Sequence, residues 1–376
     1  MTTKEYKLRI NEFKNWEYFF NNEVPENIDN IKEIQILTTK GIETFEPLQK
    51  FKNLETICFG TTNSTMTIKT LKGLENVIGL KYLYFLAKTK IQSDIDVISK
   101  LKSLISLGLY NINMDLPVCL LKNMDILRRL SLSEKNYLSV KYLPPNLEDL
   151  TLSFNSISEL PSWNNINSLR TLQIGCQTSN FVSLDSLKIF PNLEKLYLIN
   201  PKQLNDIGYI KELKKLKELN INGATSITDF SPIANHPSLE VLRIRNTNIE
   251  EIKDILPLPK LKMLFAEKTK LKNLAEIKEG LPNIEVLWIW MTKLRNLDSL
   301  SDMKTLKDLN ISDLKVNQFD FLSTLTGLEK IDLYNTSFTD FDLLNNLANL
   351  SYIRYTKDET VPEKYKKLVG HQGWDY

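Results

Sequence analysis

The dominant pattern in the chain is an apolar spacing of the form LxxLxL, in which the last two apolar positions flank a single polar one. It opens at Ile31, Leu54, Leu80, Leu104, Leu127, Leu147, Leu169, Leu193, Leu216, Leu239, Leu261, Ile284, Leu306, Leu328 and Leu350, with successive openings 20 to 26 residues apart. Alternation at positions four to six predicts a short strand with one face in the core. Only about 15 residues remain to return the chain to the next strand, which predicts parallel strands joined by turns and short helical or 3₁₀ segments.

No single unit can bury its own leucines, so neighbours must stack. Fifteen units in this length range predict a leucine-rich-repeat solenoid of the α/β class, a curved horseshoe with parallel strands on its concave face. Residues 1–30 and 356–376 are expected to cover the two ends, with the solenoid spanning 31–355. Pro362 stands where a helix in the terminal segment would start.

Two further columns test this register without using the leucines. Position two alternates in sign from Arg128, Glu148, Arg170 and Glu194 through Lys217, Glu240, Lys262, Glu285 and Lys307 to Glu329. Lys32, Glu55 and Lys81 precede them, and Ile105 skips one beat. Stacked units would set these opposite charges side by side as a ladder, which a slip of one repeat would disrupt. Position nine carries Asn155 once and Thr62, Thr247, Thr269, Thr292 and Thr336 elsewhere. A hydroxyl there can satisfy turn backbone.

Positions three, five, seven and eight are expected to face solvent on the concave side. In the middle units they are polar or small, as in Arg129, Ser131, Asp149, Thr151 and Gln173. The following units differ: Val241, Arg243 and Arg245; Met263, Phe265 and Glu267; Val286, Trp288, Trp290 and Met291. Asp332, Tyr334 and Arg354 extend this group. An apolar and aromatic surface beside arginines is the composition of a protein-binding hot spot. A smaller secondary cluster of the same kind is Tyr82, Tyr84, Leu86 and Tyr110. Packing of neighbouring aromatics on one another is the structural alternative for both.

Charge and composition narrow the partner. A net charge of +2 argues against nucleic acid or an anionic membrane as the main partner. No apolar run is long enough to cross a membrane. Cys58, Cys119 and Cys176 fit neither a disulfide framework nor a zinc site, and His236 and His371 have no ligand-spaced companions, so neither metal nor cofactor is expected. No nucleotide-binding or hydrolase motif is present, and the acidic residues fall at repeat spacing, so the chain reads as non-enzymatic. The opening MTTKEYKLRINEFKNW has no apolar signal core, which leads to the expectation of a cytoplasmic protein.

The stretch ATSITDFSPIANHPSLEVLRI, Ala224 to Ile244, resembles the internalin-type repeat of bacterial leucine-rich-repeat proteins. It shares the Thr-x-Ile-x-Asp turn, the Ser-Pro segment and the LxxLxI strand. The resemblance implies recognition of a protein through the concave face. Internalins are usually secreted or wall-anchored, and no wall-sorting motif is visible. Two roles follow as expectations: an inhibitor or immunity protein covering a bacterial toxin, or an effector or adhesin-like protein that reaches a host protein without a classical signal.

Overall fold

The computed structural model describes residues 7–370, apart from 110, 113–114, 134–137, 154–157, 164–165, 177–179 and 357. Tyr110, Asn155 and His371 therefore lie outside the described residues. The chain divides into two compact units, the first made of residues 1–174 and 188–191, the second of 175–187 and 192–376.

In the first unit the strands Lys7–Ile10, Glu33–Ile36, Thr56–Phe59, Tyr82–Phe85, Ser106–Leu109, Arg129–Ser133 and Asp149–Ser153 pair in that order, all parallel, and Thr171–Gly175 follows. In the second unit the parallel strands are Lys195–Ile199, Glu218–Asn220, Val241–Arg243, Met263–Phe265, Val286–Trp288, Asp308–Asn310, Lys330–Asp332 and Tyr352–Arg354. Equal positions of successive repeats lie side by side: Val241 pairs Met263, Met263 pairs Val286, and Val286 pairs Asp308. This is the leucine-rich-repeat architecture that the spacing predicts. Positions one, four and six form the core; Leu239, Leu242 and Ile244 are fully buried, as are Ile284, Leu287 and Ile289.

The return segments are mostly single 3₁₀ turns, such as Gly208–Glu212, Ser231–Ile233, Asp298–Leu300 and Asp320–Thr324. The units opening at Leu54 and Leu80 run to 26 and 24 residues, and their extra length holds a feature the leucine spacing does not predict. Thr65–Ile68 and Lys88–Ile91 form a separate two-stranded parallel sheet that buries Met66, Ile68, Thr89 and Ile91 and exposes the residues between them.

The charge ladder forms as couples across adjacent repeats. Glu55 pairs with Lys81 at 2.7 Å, Arg128 with Glu148 at 3.3 Å, Glu194 with Lys217 at 2.8 Å, Glu240 with Lys262 at 3.1 Å and Glu285 with Lys307 at 2.7 Å. The position-nine threonines act as expected. The hydroxyls of Thr247, Thr269, Thr292 and Thr336 donate to the carbonyls three residues earlier at 2.7–2.8 Å.

Position eight adds a constraint. Gly223, Asn246, Lys268, Met291 and Asp313 all adopt positive φ. Their N–H groups donate to position seven of the next repeat, the carbonyls of Arg245, Glu267, Trp290, Ser312 and Tyr334. The left-handed turn aims each N–H along the stack. Gly, Asn and Asp suit that conformation, whereas a Met there is uncommon.

Terminal segments meet the outermost repeats. Lys7–Ile10 pairs with Glu33–Ile36, and the helix Trp16–Asn22, capped by the Asn15 side chain, ties in through Trp16 Nε1 donating to the Thr44 carbonyl at 2.8 Å. At the other end Pro362 caps the helix Glu363–Lys366, and Ile353 exchanges backbone hydrogen bonds with Leu368 and Gly370. That pairing supplies partners to the edge of the last strand.

His236 occupies an apolar core position and is 1% exposed. Its Nε2 lies 3.1 Å from the Leu213 carbonyl, so it donates there, leaving Nδ1 to accept from the Ser238 N–H at 3.4 Å. The neutral ring is thus satisfied on both sides. Burial pushes its pKa below the ordinary 6.5, with Lys214 adding to the effect against the Leu213 hydrogen bond.

Two outcomes are expected. Leu264→Ala leaves a cavity in the stacked core and lowers stability by about 2–5 kcal/mol, whereas Lys307→Ala, at a half-exposed couple, has a far smaller effect; denaturant titration compares them. For His236 the unfolded chain takes up its proton first. Its contribution is therefore present above the ordinary value and is lost as pH falls through the lower folded value. His236→Gln should flatten the fall in melting temperature between about pH 7 and about pH 5.

Candidate functional site

The candidate residues of the second unit do converge on the core-distal face of its strands, because equal positions stack. Val241, Met263 and Val286 form one column, Arg243, Phe265 and Trp288 the next, and Arg245, Glu267 and Trp290 the third. Their exposure corrects the expectation. Phe265 is 2% exposed and Val286 and Trp288 are each 8% exposed, packed with Val241, Met263 and Trp290 into a cluster of their own. The Phe265 and Trp288 rings meet edge to face at 5.1 Å. Large side chains in adjacent columns cover one another, so a face turned away from the leucine core still excludes water.

Polar groups lock this cluster. Trp288 Nε1 donates to Asp308 Oδ1 at 3.1 Å. The Arg243 guanidinium lies over Phe265 at 4.2 Å and within 3.6 Å of Glu218. Glu218 also takes the Tyr197 hydroxyl, whose pKa is pushed far up, first by burial and then by that carboxylate, with Arg243 opposing. Tyr197 and Asp308 belong to the site although the sequence reading passed over them. Asp308 continues the Val286 column in the next repeat, and Tyr197 stands in the Arg243 column two repeats earlier; that shared column was the available signal.

At the position-seven end of the strands the surface opens. Trp290 is half-buried, and two cations lie over its indole, Arg245 at 5.6 Å and Lys268 at 4.8 Å. Met291 is 49% exposed. Glu267 is 5% exposed, beneath this layer. Its Oε1 is 3.8 Å from Arg245 Nε, and its Oε2 is buried without a hydrogen-bond partner. Burial raises the Glu267 pKa, opposed by its own backbone N–H, Arg245, Arg243 and Lys268.

Asp332, Tyr334 and Arg354 form a second group on later strands. Asp332 is buried, accepts from the Tyr334 N–H at 2.9 Å and pairs with Arg354 at 3.0 Å. Burial pushes its pKa up against those two partners. Arg354 lies over the Tyr334 ring at 4.3 Å, and that ring is 38% exposed. In the first unit Tyr82 and Tyr84 are half-buried, with Arg129 5.7 Å from the Tyr82 ring and the Tyr84 hydroxyl 3.0 Å from Ser106 Oγ; Leu86 is also half-buried. Among the described residues no cluster of His, Cys, Asp or Glu is arranged to hold a metal ion, and no helix is long and apolar enough to cross a membrane.

No protein-family model matches the chain, and no curated protein matches its sequence. Solved structures do match its fold. A leucine-rich-repeat protein of Leptospira interrogans is similar at 16% identity and a TM-score of 0.54, over 91% of this chain and 98% of that one. A chain of the glycosylated Toll–Spätzle complex of Drosophila is similar at 16% identity and a TM-score of 0.67, over 94% of this chain and 50% of that one. An internalin of Listeria monocytogenes matches at 17% identity over 92% of this chain and 82% of that one, with a TM-score of 0.35. The shared property is the leucine-rich-repeat fold.

The two tryptophans should separate on mutation. Trp288→Ala empties a packed position and is expected to lower stability by about 3 kcal/mol. Trp290→Ala, at the open end of the cluster, should leave the melting temperature nearly unchanged. Thermal melts of the two variants check this.

Proposed function

We propose that the chain is a non-enzymatic protein-recognition module whose docking surface is the core-distal strand face of its second unit. The observation that carries this reading is the arginine–aromatic cluster from Arg243 to Trp290, locked by hydrogen bonds and stacking. A surface held in place before docking loses little ordering entropy on binding. Tryptophan and arginine are also the residues most often dominant at such interfaces. The fold neighbour in the Toll–Spätzle complex lends support, since that structure is one of a complex.

The action on this reading is steric: docking blocks or scaffolds the partner without chemistry on it. The narrower form is an inhibitor or immunity protein that covers a toxin. A captured partner whose own activity is lost on binding would separate that form from an effector that docks a host protein.

The test compares immobilised wild type with Trp290→Ala and Lys307→Ala in capture from the native source, followed by titration of the captured protein. The expected result is one saturable protein partner, retained by Lys307→Ala and lost or weakened at least about tenfold by Trp290→Ala with its melting temperature unchanged. Unchanged affinity of Trp290→Ala for that partner would refute the assignment.

A further inference from the structure

The surface beside Trp290 has a definite charge. Arg245 and Lys268 both lie over the indole. The turns that follow read KTKLKNL from Lys268 and MTKLRNL from Met291, so Lys270 and Lys272 of one repeat neighbour Lys293 and Arg295 of the next. The Lys293 N–H donates to the Leu271 carbonyl at 2.8 Å, which fixes that adjacency. All of these side chains are exposed. Lys272 is matched by Glu250 at 2.7 Å. Among the described residues, no carboxylate lies within ion-pair distance of Lys268, Lys270 or Lys293. Glu250 also acts electrostatically on Lys270, and Glu267, beneath the layer, is buried and meets Arg245 only at 3.8 Å.

We infer that this rim receives an acidic segment of the partner protein, with an apolar side chain on Trp290 and Met291 and carboxylates on Arg245, Lys268, Lys270 and Lys293. This rests on the protein-recognition reading above and adds the chemistry of the occupant. Arg245 has its fork of donors available for a carboxylate, which it can grip through two hydrogen bonds. The cations surround a patch of apolar surface instead of forming a long stripe, which favours an acidic and apolar peptide over a nucleic-acid backbone. Glu267 competes with the incoming carboxylate for Arg245, so its charge opposes binding.

The test uses the full chain and fluorescence anisotropy with three labelled dodecapeptide pools. Each carries interspersed Leu and Phe, with the remaining positions acidic, basic or neutral; oligo-dT is the fourth probe. The acidic pool should bind, weaken with added salt, and weaken roughly threefold to tenfold in Arg245→Ala and in the double variant Lys268→Ala/Lys293→Ala. Glu267→Gln should tighten it, and Lys307→Ala, on the opposite rim, should leave it unchanged. Equal or tighter binding of the basic or neutral pool, or weaker acidic binding by Glu267→Gln, overturns the acidic occupant and leaves protein recognition standing. If no pool binds, the inference also fails, and protein recognition then rests on the capture experiment alone. Oligo-dT binding more tightly than every peptide pool overturns both.

Discussion

Everything in this molecule depends on the fact that one repeat cannot dry its own leucines. A strand of three to five residues and a single 3₁₀ turn offer no second layer, so the neighbour has to supply it. Stacking in turn forces equal positions of successive repeats together, as the pairing of Leu242 with Leu264 and Leu264 with Leu287 shows. Once that register is set, every other column follows: the charge couples, the threonine turns, the left-handed position and the aromatic cluster. Local chemistry at any position is therefore chemistry between repeats.

That logic explains what could be read from the amino acids alone. The leucine column gave the register, and the alternating charges and threonines were independent checks on it, each borne out by a short contact in the structure. The face on which Phe265, Trp288 and Trp290 stand was equally legible, because side-chain direction follows from the period of two. Their accessibility was not. Whether Trp288 is wet depends on the sizes of Phe265 and Val286 beside it and on the reach of Asp308 from the next repeat. The small parallel sheet of Thr65–Ile68 and Lys88–Ile91 escaped for a different reason. Its alternation lies in the extra residues of two long repeats, outside the leucine frame.

The same covering shifts where binding chemistry can take place. The middle of the strand face in the second unit is a packed platform, and the groups still available to a visitor sit at one end of the strands, where Trp290 and Met291 meet a basic turn. Met291 and, one repeat earlier, Lys268 stand in a left-handed position that the same column fills with Gly223, Asn246 and Asp313 in other repeats. Keeping a long apolar side chain there costs conformational energy, of the order of 1 kcal/mol. The buried, unmatched oxygen of Glu267 is a second local cost in the same place. These departures from the optimum, at Lys268, Met291 and Glu267 on adjoining repeats, separate this end of the site from the rest of the stack.

The charge couples carry a consequence for how such a chain can change in length. In the second unit Glu194 binds Lys217, Glu240 binds Lys262 and Glu285 binds Lys307, so the repeats are joined along this rim in twos. Losing or duplicating a single repeat would bring two carboxylates or two ammonium groups to adjacent rungs, while losing or duplicating a pair would leave every couple intact. The rim thus records a parity: although the leucines permit growth by one repeat, the smallest step that preserves the electrostatics is two.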